Sequence, residues 1–407
     1  MEEKDTKVIS KRRLFSAVPP KVRWFIYLLS FASVGYGYLL VAITAYLPEI
    51  GLSSGDVGLI LGVNGAAFAI SAIPIGLLSD RKGRKWILIS GLLVLSPSLL
   101  VYALTTNVTT LVLAGIAAGV AEGAFLSTWN AMIADMTTLD NRVAAYSLSF
   151  ICQSVSMGIG MTLPFAFPSI EAWTGLDTHV VHNGTYVFLA IVSLLSPITL
   201  WLLLKDQRES IAPKKSATTK EGMGLLLKFS GLNSLIGLGA GFIIPLIPTW
   251  LFLRFGVSDA YSGPLLAVAG ITIGFATVAS SALALRFGAV RAIVMTQGLS
   301  TVFMLSLAFV PTAALAGVLY LVRSTLMNMS SPLADSLLMG IVPKEQRGLA
   351  SAVNSLIWRL PNSVSTILGG MLLASGSYDV PFFIAAAFYI VSITLFYKIF
   401  KNVKPKE

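Results

Sequence analysis

The sequence predicts an all-α membrane protein with twelve transmembrane helices in two pseudo-symmetric six-helix bundles. Three observations lead to this fold class. Of the 407 residues, 55% are hydrophobic and 12% are charged, whereas an ordinary soluble domain carries roughly 25% charged residues. The hydrophobic residues form long uncharged runs, and features of the first half of the chain recur in the second half. The bilayer therefore governs the fold, and a water-soluble domain is excluded.

A transmembrane helix needs about 20 mostly apolar residues, because its backbone polar groups must be hydrogen-bonded within the segment. Twelve segments meet this length. They are Trp24–Leu47, Val57–Ser79, Trp86–Leu104, Leu111–Ala134, Val143–Phe167, Thr185–Leu204, Phe229–Leu253, Tyr261–Leu285, Ile293–Val310, Ala313–Val342, Leu349–Ser375 and Val380–Tyr397. The first run is too long for the core of a signal peptide, so we expect it to be the first span.

The basic residues fall in every second loop. Alternate assignment of the loops gives one side both tails and Arg81, Lys82, Arg84, Lys85, Arg142, Arg286, Arg291, Lys344 and Arg347. The opposite loops hold Arg254 alone. Because cytoplasmic loops carry an excess of Lys and Arg, we expect both termini in the cytoplasm and the chain in the cell membrane. Topology thus explains the net charge of +10, and the expected partner is the lipid bilayer, with no nucleic acid.

The chain divides into two halves around a polar, charged segment. We predict a cytoplasmic tail at 1–23, a six-helix bundle at 24–204, a cytoplasmic linker at 205–222, a second bundle at 223–397 and a tail at 398–407. An offset of 205 residues aligns Gly58 with Gly263, Gly65 with Gly270, Arg81 with Arg286, Gly83 with Gly288, and Arg142 with Arg347. Repeated six-helix halves are typical of transporters in which one half rocks against the other.

The loop between the second and third spans carries the most specific motif. It reads Gly76-Leu77-Leu78-Ser79-Asp80-Arg81-Lys82-Gly83-Arg84-Lys85. This run resembles the cytoplasmic signature of the major facilitator superfamily, G-x-L-x-D-R-x-G-R-K, at every specified position. The span count, the repeat and the linker extend the resemblance over essentially the whole chain.

The resemblance implies that the motif latches the two halves together on the cytoplasmic side. Asp80 would do so near the start of the eleventh span, around Gly348–Ser351. The residues assigned to this latch are Gly76, Asp80, Arg81, Gly83, Arg84, Lys85 and Arg142. The alternative is that the basic residues only determine topology. The second copy of the motif, ending at Arg286 and Gly288, lacks the acidic residue, so we expect an asymmetric latch.

Three charged residues are predicted near mid-depth: Glu122, Arg323 and Arg359. A charge inside a membrane is costly and is therefore a functional candidate. Glu122 could carry protons, could bind a substrate amine, or could form a structural ion pair with Arg323 or Arg359. Asp135 and Asp335 lie nearer the cytoplasmic ends, where we expect capping or pairing with Arg142 or Arg347.

The resemblance implies that the fourth and tenth spans line a central cavity and that the eleventh lies between the halves. Arg323 and Arg359 would then face the pathway and suit a carboxylate or phosphate, because Arg keeps its charge. Further pathway candidates are Tyr36, Tyr38, Asn130, Trp250, Asn328 and Trp358. Pro245 and Pro248 are expected to interrupt the seventh helix.

Small residues predict where helices approach closely. The ladder Gly115, Gly119 and Gly123 lies on one face of the fourth span, next to Glu122. Gly58 with Gly62, and Gly270 with Gly274, are expected to do the same in the second and eighth spans.

The remaining chemistry-bearing residues give no site. Cys152 has no Cys or His partner at metal-ligand spacing, so we expect no metal and no cofactor. His179 and His182, the only histidines, share a polar stretch and are predicted to be solvated loop residues. Because the chain has no Walker motif and no nucleophile elbow, an enzyme and an ATP-driven pump find no support.

The resemblance implies a monomeric secondary transporter of a small organic solute. Our first expectation is efflux by proton antiport, and the alternative is uptake or facilitated transport of a small zwitterion or anion. Gly115 stands where many proton-coupled members carry an arginine, which excludes arginine-mediated coupling there. The Gly158–Pro164 region only partly matches the motif of drug antiporters. A transport-dead sensor is disfavoured because the tails are too short for a partner-binding domain.

The predicted orientation can be tested by cysteine labelling. In a Cys152→Ser background, single cysteines placed in either tail or in the 205–222 linker should react with a membrane-impermeant reagent only after the cells are opened. A cysteine in place of Thr106, in one of the opposite loops, is the control and should react in intact cells. Labelling of the tails in intact cells would show that the orientation is reversed.

Overall fold

The computed structural model describes residues 17–205, 223–342 and 347–402. Most of the predicted linker and parts of both predicted tails lie outside the described residues. Each predicted span corresponds to one helix or to a run of helical pieces, which we number in chain order. They are α1 (Pro20–Glu49), α2 (Ser54–Lys82), α3 (Arg84–Leu104), α4 (Val108–Asp135), α5 (Leu139–Thr162 and Phe167–Thr174), α6 (Thr178–Leu203), α7 (Met223–Gly241 and Ile247–Phe255), α8 (Asp259–Phe287), α9 (Ala289–Leu307), α10 (Ala313–Met329 and Ser331–Ile341), α11 (Arg347–Ala374) and α12 (Val380–Phe400).

Nine of these helices, within the described residues, are long and apolar enough by themselves to cross a bilayer. The other three are α8, α10 and α11. The pieces of α10 are 17 and 11 residues long, and α11 carries polar side chains such as Asn354 and Arg359. These helices pack among the others, and the described residues contain no β-strand. The predicted all-α fold of two bundles is confirmed.

The two halves repeat the same packing. In the first half α1 packs on α5 and α6, α2 packs on α4, and α3 packs on α4 and α6. In the second half α7 packs on α11 and α12, α8 packs on α10, and α9 packs on α10 and α12. Each contact in one bundle thus has its counterpart six helices later, as the sequence repeat predicts.

The glycine ladder of α4 fits closely against α2. A Cβ atom at Gly115 would lie 3.2 Å from the carbonyl oxygen of Ile60, and one at Gly123 would lie 2.6 Å from Ser71 Oγ. Such distances leave no room for a larger residue. The predicted close approach of α4 is therefore confirmed, and it fixes the direction of the neighbouring Glu122.

Three helices are interrupted. The first piece of α7 ends at Gly241, a 3-10 turn follows at Ile244–Leu246, and the helix resumes at Ile247. Pro245 lies in this break and Pro248 in the first turn of the second piece, so the helix is interrupted as predicted. The structure also interrupts α5 at Leu163–Ala166 and α10 at Ser330, where the sequence predicted continuous spans.

The backbones of the two halves approach most closely at one end of the described structure. The start of α2 packs on the end of α11, where a Cβ atom at Gly58 would lie 2.7 Å from the Thr366 carbonyl oxygen and 2.9 Å from Gly370 Cα. The end of α5 meets the start of α8 at Met161 and Gly263. The sequence assigns these helix ends to the external side. At their opposite ends a cavity separates the halves, so in the predicted orientation this state is closed outside and open to the cytoplasm.

The eighth span departs from its predicted role. A Cβ atom at Gly270 would meet nothing within 4 Å, so the close packing predicted there is absent in this state. The surroundings of Gly274 lie outside the described side chains.

The tight α2–α11 contact predicts how a single methyl group changes the state of the protein. Gly58→Ala should open the external side, because overpacking costs about 1–3 kcal/mol. The reporter is Ala45→Cys in a Cys152→Ser background, since Ala45 is fully buried between the halves. Its labelling rate should rise about tenfold or more, the equivalent of about 1.4 kcal/mol.

Gly55→Ala is the matched control, because it makes the same change on the same helix but its Cβ atom meets nothing closer than 3.5 Å. Equal labelling rates in the two variants would contradict the role given to the α2–α11 contact.

Candidate functional site

The cavity between the halves has a volume of about 640 Å³. Its walls come mainly from α7, α10 and α11, while α2 and α4 contribute Phe68 and Leu126. Its polar residues are Asn233, Gln297, Arg323, Asn328, Ser330, Ser331, Asp335, Asn354, Ser355, Arg359, Asn362 and Tyr389. The wall is therefore unequal: the second half supplies the hydrogen-bonding groups, and the first half supplies an apolar edge.

An ion pair joins the two halves across this cavity. Arg359 Nη2, on α11, lies 3.1 Å from Glu122 Oε1, on α4. The Tyr36 hydroxyl, on α1, donates to the other Glu122 oxygen at 2.9 Å. The Arg359 guanidinium lies over the Phe68 ring, 4.5 Å from its centroid. Both oxygens of Glu122 are thus engaged, one from each half.

A second, smaller pocket lies behind Glu122, inside the first half. Its volume is about 360 Å³, and α1, α3, α4 and α5 line it. The lining is mostly apolar, and it includes Leu92, Phe125 and Met157. Tyr36 and Glu122 form its polar edge. The Glu122–Arg359 pair therefore stands at the boundary between an apolar pocket and a polar cavity.

Arg323 is a buried cation on the wall of the main cavity. Its side chain is 3% exposed, and Nη2 donates to the Tyr389 hydroxyl at 2.7 Å. Its Nε atom is buried and makes no hydrogen bond within the described residues. None of the ion pairs among the described residues includes Arg323. A buried charge requires compensation, so this position favours an anionic group of a ligand.

Four of the other predicted pathway residues line cavities or grooves. Asn328 and Trp358 lie on the wall of the main cavity, and the Asn328 amide also donates to the Ser324 carbonyl at 2.9 Å. Tyr36 lies in the apolar pocket, and Asn130 lines a groove between α4 and α5.

Tyr38 and Trp250 do not line either cavity, which corrects the prediction for this state. Tyr38 is fully buried, and its hydroxyl lies 2.9 Å from His182 Nδ1. Trp250 is also fully buried, and its indole N–H donates to the Tyr378 carbonyl at 3.1 Å. Both lie in the closed external part of the protein. Hydropathy gives the depth of a residue along a helix but not the direction in which it points.

The prediction of a solvated loop is wrong for His182. The structure begins α6 at Thr178 instead of Thr185, because Asp177 caps the helix by accepting from the His179 amide at 2.8 Å. His182 is therefore helical and 1% exposed, and it stacks on Tyr46 with the ring centroids 3.5 Å apart. His179 is exposed, as predicted. The Asp177 cap was the sequence signal that could have revealed the longer helix.

The cytoplasmic signature forms a charge cluster within the first half. Gly83 ends α2 with φ = 101°, a conformation that glycine adopts without strain. Arg84 pairs with Asp80 at 2.9 Å and also with the carboxylate of Asp135. The prediction that Asp135 pairs with Arg142 is therefore wrong.

The other latch residues make contacts of their own. Arg142 donates to the carbonyl oxygens of Ala134 and Thr137, and Lys85 Nζ donates to the Leu204 carbonyl at 2.8 Å. A Cβ atom at Gly76 would lie 3.7 Å from its nearest neighbour, so this position does not require glycine for packing here. Arg81 is exposed. The cytoplasmic side is open, and the proposed contact of Asp80 with α11 remains a prediction for the opposite state.

Asp335 lines the main cavity and is exposed. Its expected partner Arg347 has a side chain outside the described set. Among the described residues no cluster of His, Cys, Asp and Glu has the composition of a metal site.

Comparison with known proteins places this geometry in a family. The model of the Major Facilitator Superfamily matches residues 24–328 and 229–407. The chain is 28% identical over 234 residues to the Quinolone resistance protein NorA of Staphylococcus aureus, covering 55% of this chain and 52% of that protein. It is 27% identical over 176 residues to the Inner membrane transport protein YajR of Escherichia coli, covering 43% and 36%. The matches thus span about half the length, or less, of these curated relatives.

Solved structures share the fold over nearly the whole chain. A bacterial homologue of the human lysosomal transporter Spinster, in an inward-facing and occupied conformation, matches with a TM-score of 0.75 and 16% identity over 96% of this chain and 97% of that one. An auto-inhibited peptide transporter of the POT family matches with a TM-score of 0.76 and 12% identity over 95% and 98%.

The ion pair between the halves predicts a strong energetic coupling. Glu122→Gln and Arg359→Gln should each lower the Tm, because each leaves a partly buried charge without its partner. The double variant should lose less than the sum, with a coupling energy of about 1 kcal/mol or more. Thermal unfolding of the purified variants measures it.

The control cycle uses Arg254 and Asp379, an ion pair within the second half whose carboxylate is about half exposed, for which a few tenths of a kcal/mol are expected. Equal coupling in both cycles would contradict the special position of the Glu122 pair. If the double Glu122 and Arg359 variant also recovered normal transport, the pair would be structural only.

Proposed function

The chain belongs to the major facilitator superfamily, and on this premise we propose that it exports a small organic solute in exchange for protons by alternating access. Membership makes it a multi-pass transporter. The proposal concerns the direction, the coupling ion and the type of solute.

The observation that carries the proposal is the Glu122–Arg359 pair, which joins the halves at the boundary of the two cavities. A proton and Arg359 compete for the same carboxylate. When Glu122 is protonated, Arg359 loses its ionic partner and the link between the halves weakens. The charge state of one side chain is thus coupled to the relative position of the halves, which is what proton-driven alternation requires.

The apolar pocket explains how binding of the solute is coupled to binding of the proton. Because Tyr36 and Glu122 lie at its edge, a solute that fills this pocket can place a cationic amine against the carboxylate. The amine and the proton then compete for the same negative charge. The carrier releases solute outside and then returns to its cytoplasm-open state with a proton on Glu122. Solute and proton therefore cross the membrane in opposite directions, which is antiport.

The relatives support export and an amphipathic solute. NorA is described as a quinolone resistance protein, and the pocket in the first half is mainly apolar. A quinolone is therefore the first probe to test.

A second candidate is uptake or facilitated transport of a small zwitterion or anion. The observation that favours it is Arg323, a buried cation that is not in an ion pair within the described part of the chain. The Arg359 guanidinium, which pairs with Glu122, lies on the same cavity wall and adds a second cation near a ligand. A peptide transporter is among the proteins that share the fold.

Proteoliposomes test the proton-coupled function. With a fluorescent quinolone, the wild-type protein should accumulate the solute against its gradient when a pH gradient is imposed. Glu122→Gln should abolish this accumulation but preserve the exchange of preloaded for external solute, because exchange moves no net proton. Asp140→Asn, which neutralises an exposed carboxylate at the start of α5, is the control and should behave as wild type. Accumulation by Glu122→Gln at the wild-type level would exclude Glu122 as the proton carrier.

The same preparation separates the two candidates. A ligand that binds the folded form raises the Tm of the protein. A thermal-shift comparison of the quinolone acid with its methyl ester therefore measures how much the carboxylate contributes to binding. Arg323→Gln should remove the preference for the acid. If small anions or amino acids stabilise the protein and the quinolone does not, uptake of a charged solute becomes the better assignment.

A further inference from the structure

Three ionisable side chains meet where α8 begins, on the closed external side. The Asp259 amide donates to Glu49 Oε1, at the end of α1, with a distance of 2.7 Å. The Asp259 carboxylate faces His182, on α6, with Oδ2 3.4 Å from Nε2. Glu49 and His182 belong to the first half and Asp259 to the second. The cluster therefore exists only while the external side is closed.

Asp259 is buried, and backbone amides at the start of α8 partly compensate its negative charge. The residue is 4% exposed, and its Oδ2 atom makes no hydrogen bond within the described residues. The surrounding elements add Tyr46 from α1, Glu171 from α5, and Asp177 and His179 from α6. The nearby basic residue of α7, Arg254, pairs with Asp379 instead.

The amides at the α8 N-terminus are shared between two carboxylates, those of Glu49 and Asp259. These amides and the helix dipole favour an anion, and Glu49 already takes the first of the amides. A second carboxylate beside it, removed from water and close to Glu171, favours the neutral form. One proton between Asp259 and His182 resolves this conflict.

The added proton can be held by the carboxyl group or by the imidazole. His182 Nδ1 lies 2.9 Å from the Tyr38 hydroxyl, which leaves Nε2 to face Asp259. Either a carboxylic acid donates to a neutral imidazole, or an imidazolium donates to a carboxylate. Both forms add one proton to the pair and leave it uncharged overall. The Tyr46 ring stacked on His182 holds the imidazole in place.

We propose that His182 and Asp259, with Glu49 beside them, form a proton-binding site that is completed when the external side closes. In the state open to the outside, water would surround these groups and the carboxylates would be ionised at neutral pH. Closing the external side therefore takes up a proton from outside. By linkage, a lower external pH favours the state that is open to the cytoplasm.

This site is separate from Glu122, which lies between the halves at the cytoplasmic cavity. It rests on alternating access from the proposed function but not on the solute or on coupling at Glu122. This direction of the pH dependence suits an exporter, because external protons return the empty carrier to its cytoplasm-open state.

Distances between spin labels test the proposal without any substrate. Cysteines replace Thr106 in the first half and Ser375 in the second, both exposed on the external side, in a Cys152→Ser background. The full chain in lipid nanodiscs is studied by pulsed electron paramagnetic resonance from about pH 8.5 to about pH 5.5, a range that spans the ordinary pKa of histidine. The population with the short distance should rise as the pH falls.

Two variants give the decisive results. Asp259→Asn removes the proton-binding group and should make the distance distribution independent of pH. Glu49→Gln removes the neighbouring negative charge, so the midpoint of the transition should move to lower pH. Asp140→Asn, which neutralises an exposed carboxylate at the start of α5, should leave the response unchanged.

A pH-independent distribution in the wild type, or the wild-type response in Asp259→Asn, would overturn the proposal. If Asp259→Asn does not fold, an unchanged midpoint in Glu49→Gln overturns it. Glu122→Gln should keep the distance response even though it loses proton-driven accumulation. Failure of the external site and failure of the proposed antiport are therefore distinguished.

Discussion

Hydrocarbon offers no hydrogen-bond partner to a polar group, and the rest of this structure follows from that constraint. The backbone can satisfy its own groups only in helices, so the described chain is helical from one side of the bilayer to the other. Side chains meet the same demand. Serine and threonine hydroxyls on the helices donate to carbonyl oxygens of their own preceding turn, as Ser96 and Thr128 do. A charge that remains inside must find its partner on another helix.

Packing in the first half decides which partner Glu122 finds. The glycines of α4 bring its backbone against α2, and Phe68 of α2 then lies under the guanidinium of Arg359. The Tyr36 hydroxyl supplies the second contact from α1. The site therefore depends on small residues that never touch a ligand. Arg323 differs from Glu122. It donates one hydrogen bond to the Tyr389 hydroxyl of α12, and it forms no ion pair with a carboxylate among the described residues.

The sequence predicted features that depend on one helix at a time. The positions of the helical spans and the break near Pro245 and Pro248 follow from length, hydropathy and the conformational limits of proline. It also selected Glu122, Arg323 and Arg359, because a charge in an apolar run is visible without a structure. Partners were harder to predict. Asp135 pairs with Arg84 and not with Arg142, and Tyr38 and Trp250 point away from the cavities. Both outcomes depend on the rotation of each helix about its axis, which the sequence does not give. His182 was missed because an N-terminal turn of α6 was assigned to a loop.

The interruptions of the helices give the two halves different mechanical properties. In the second half, the main cavity-lining helices α7 and α10 each consist of two pieces. In the first half, α4 is continuous, and α1 carries only a π-helical turn at Ala42–Tyr46. A break lets a helix bend at low cost, whereas an unbroken ladder of hydrogen bonds resists bending. The two bundles therefore share a topology but differ where they border the cavity: α7 and α10 can bend around whatever the cavity holds, whereas α4 keeps its shape.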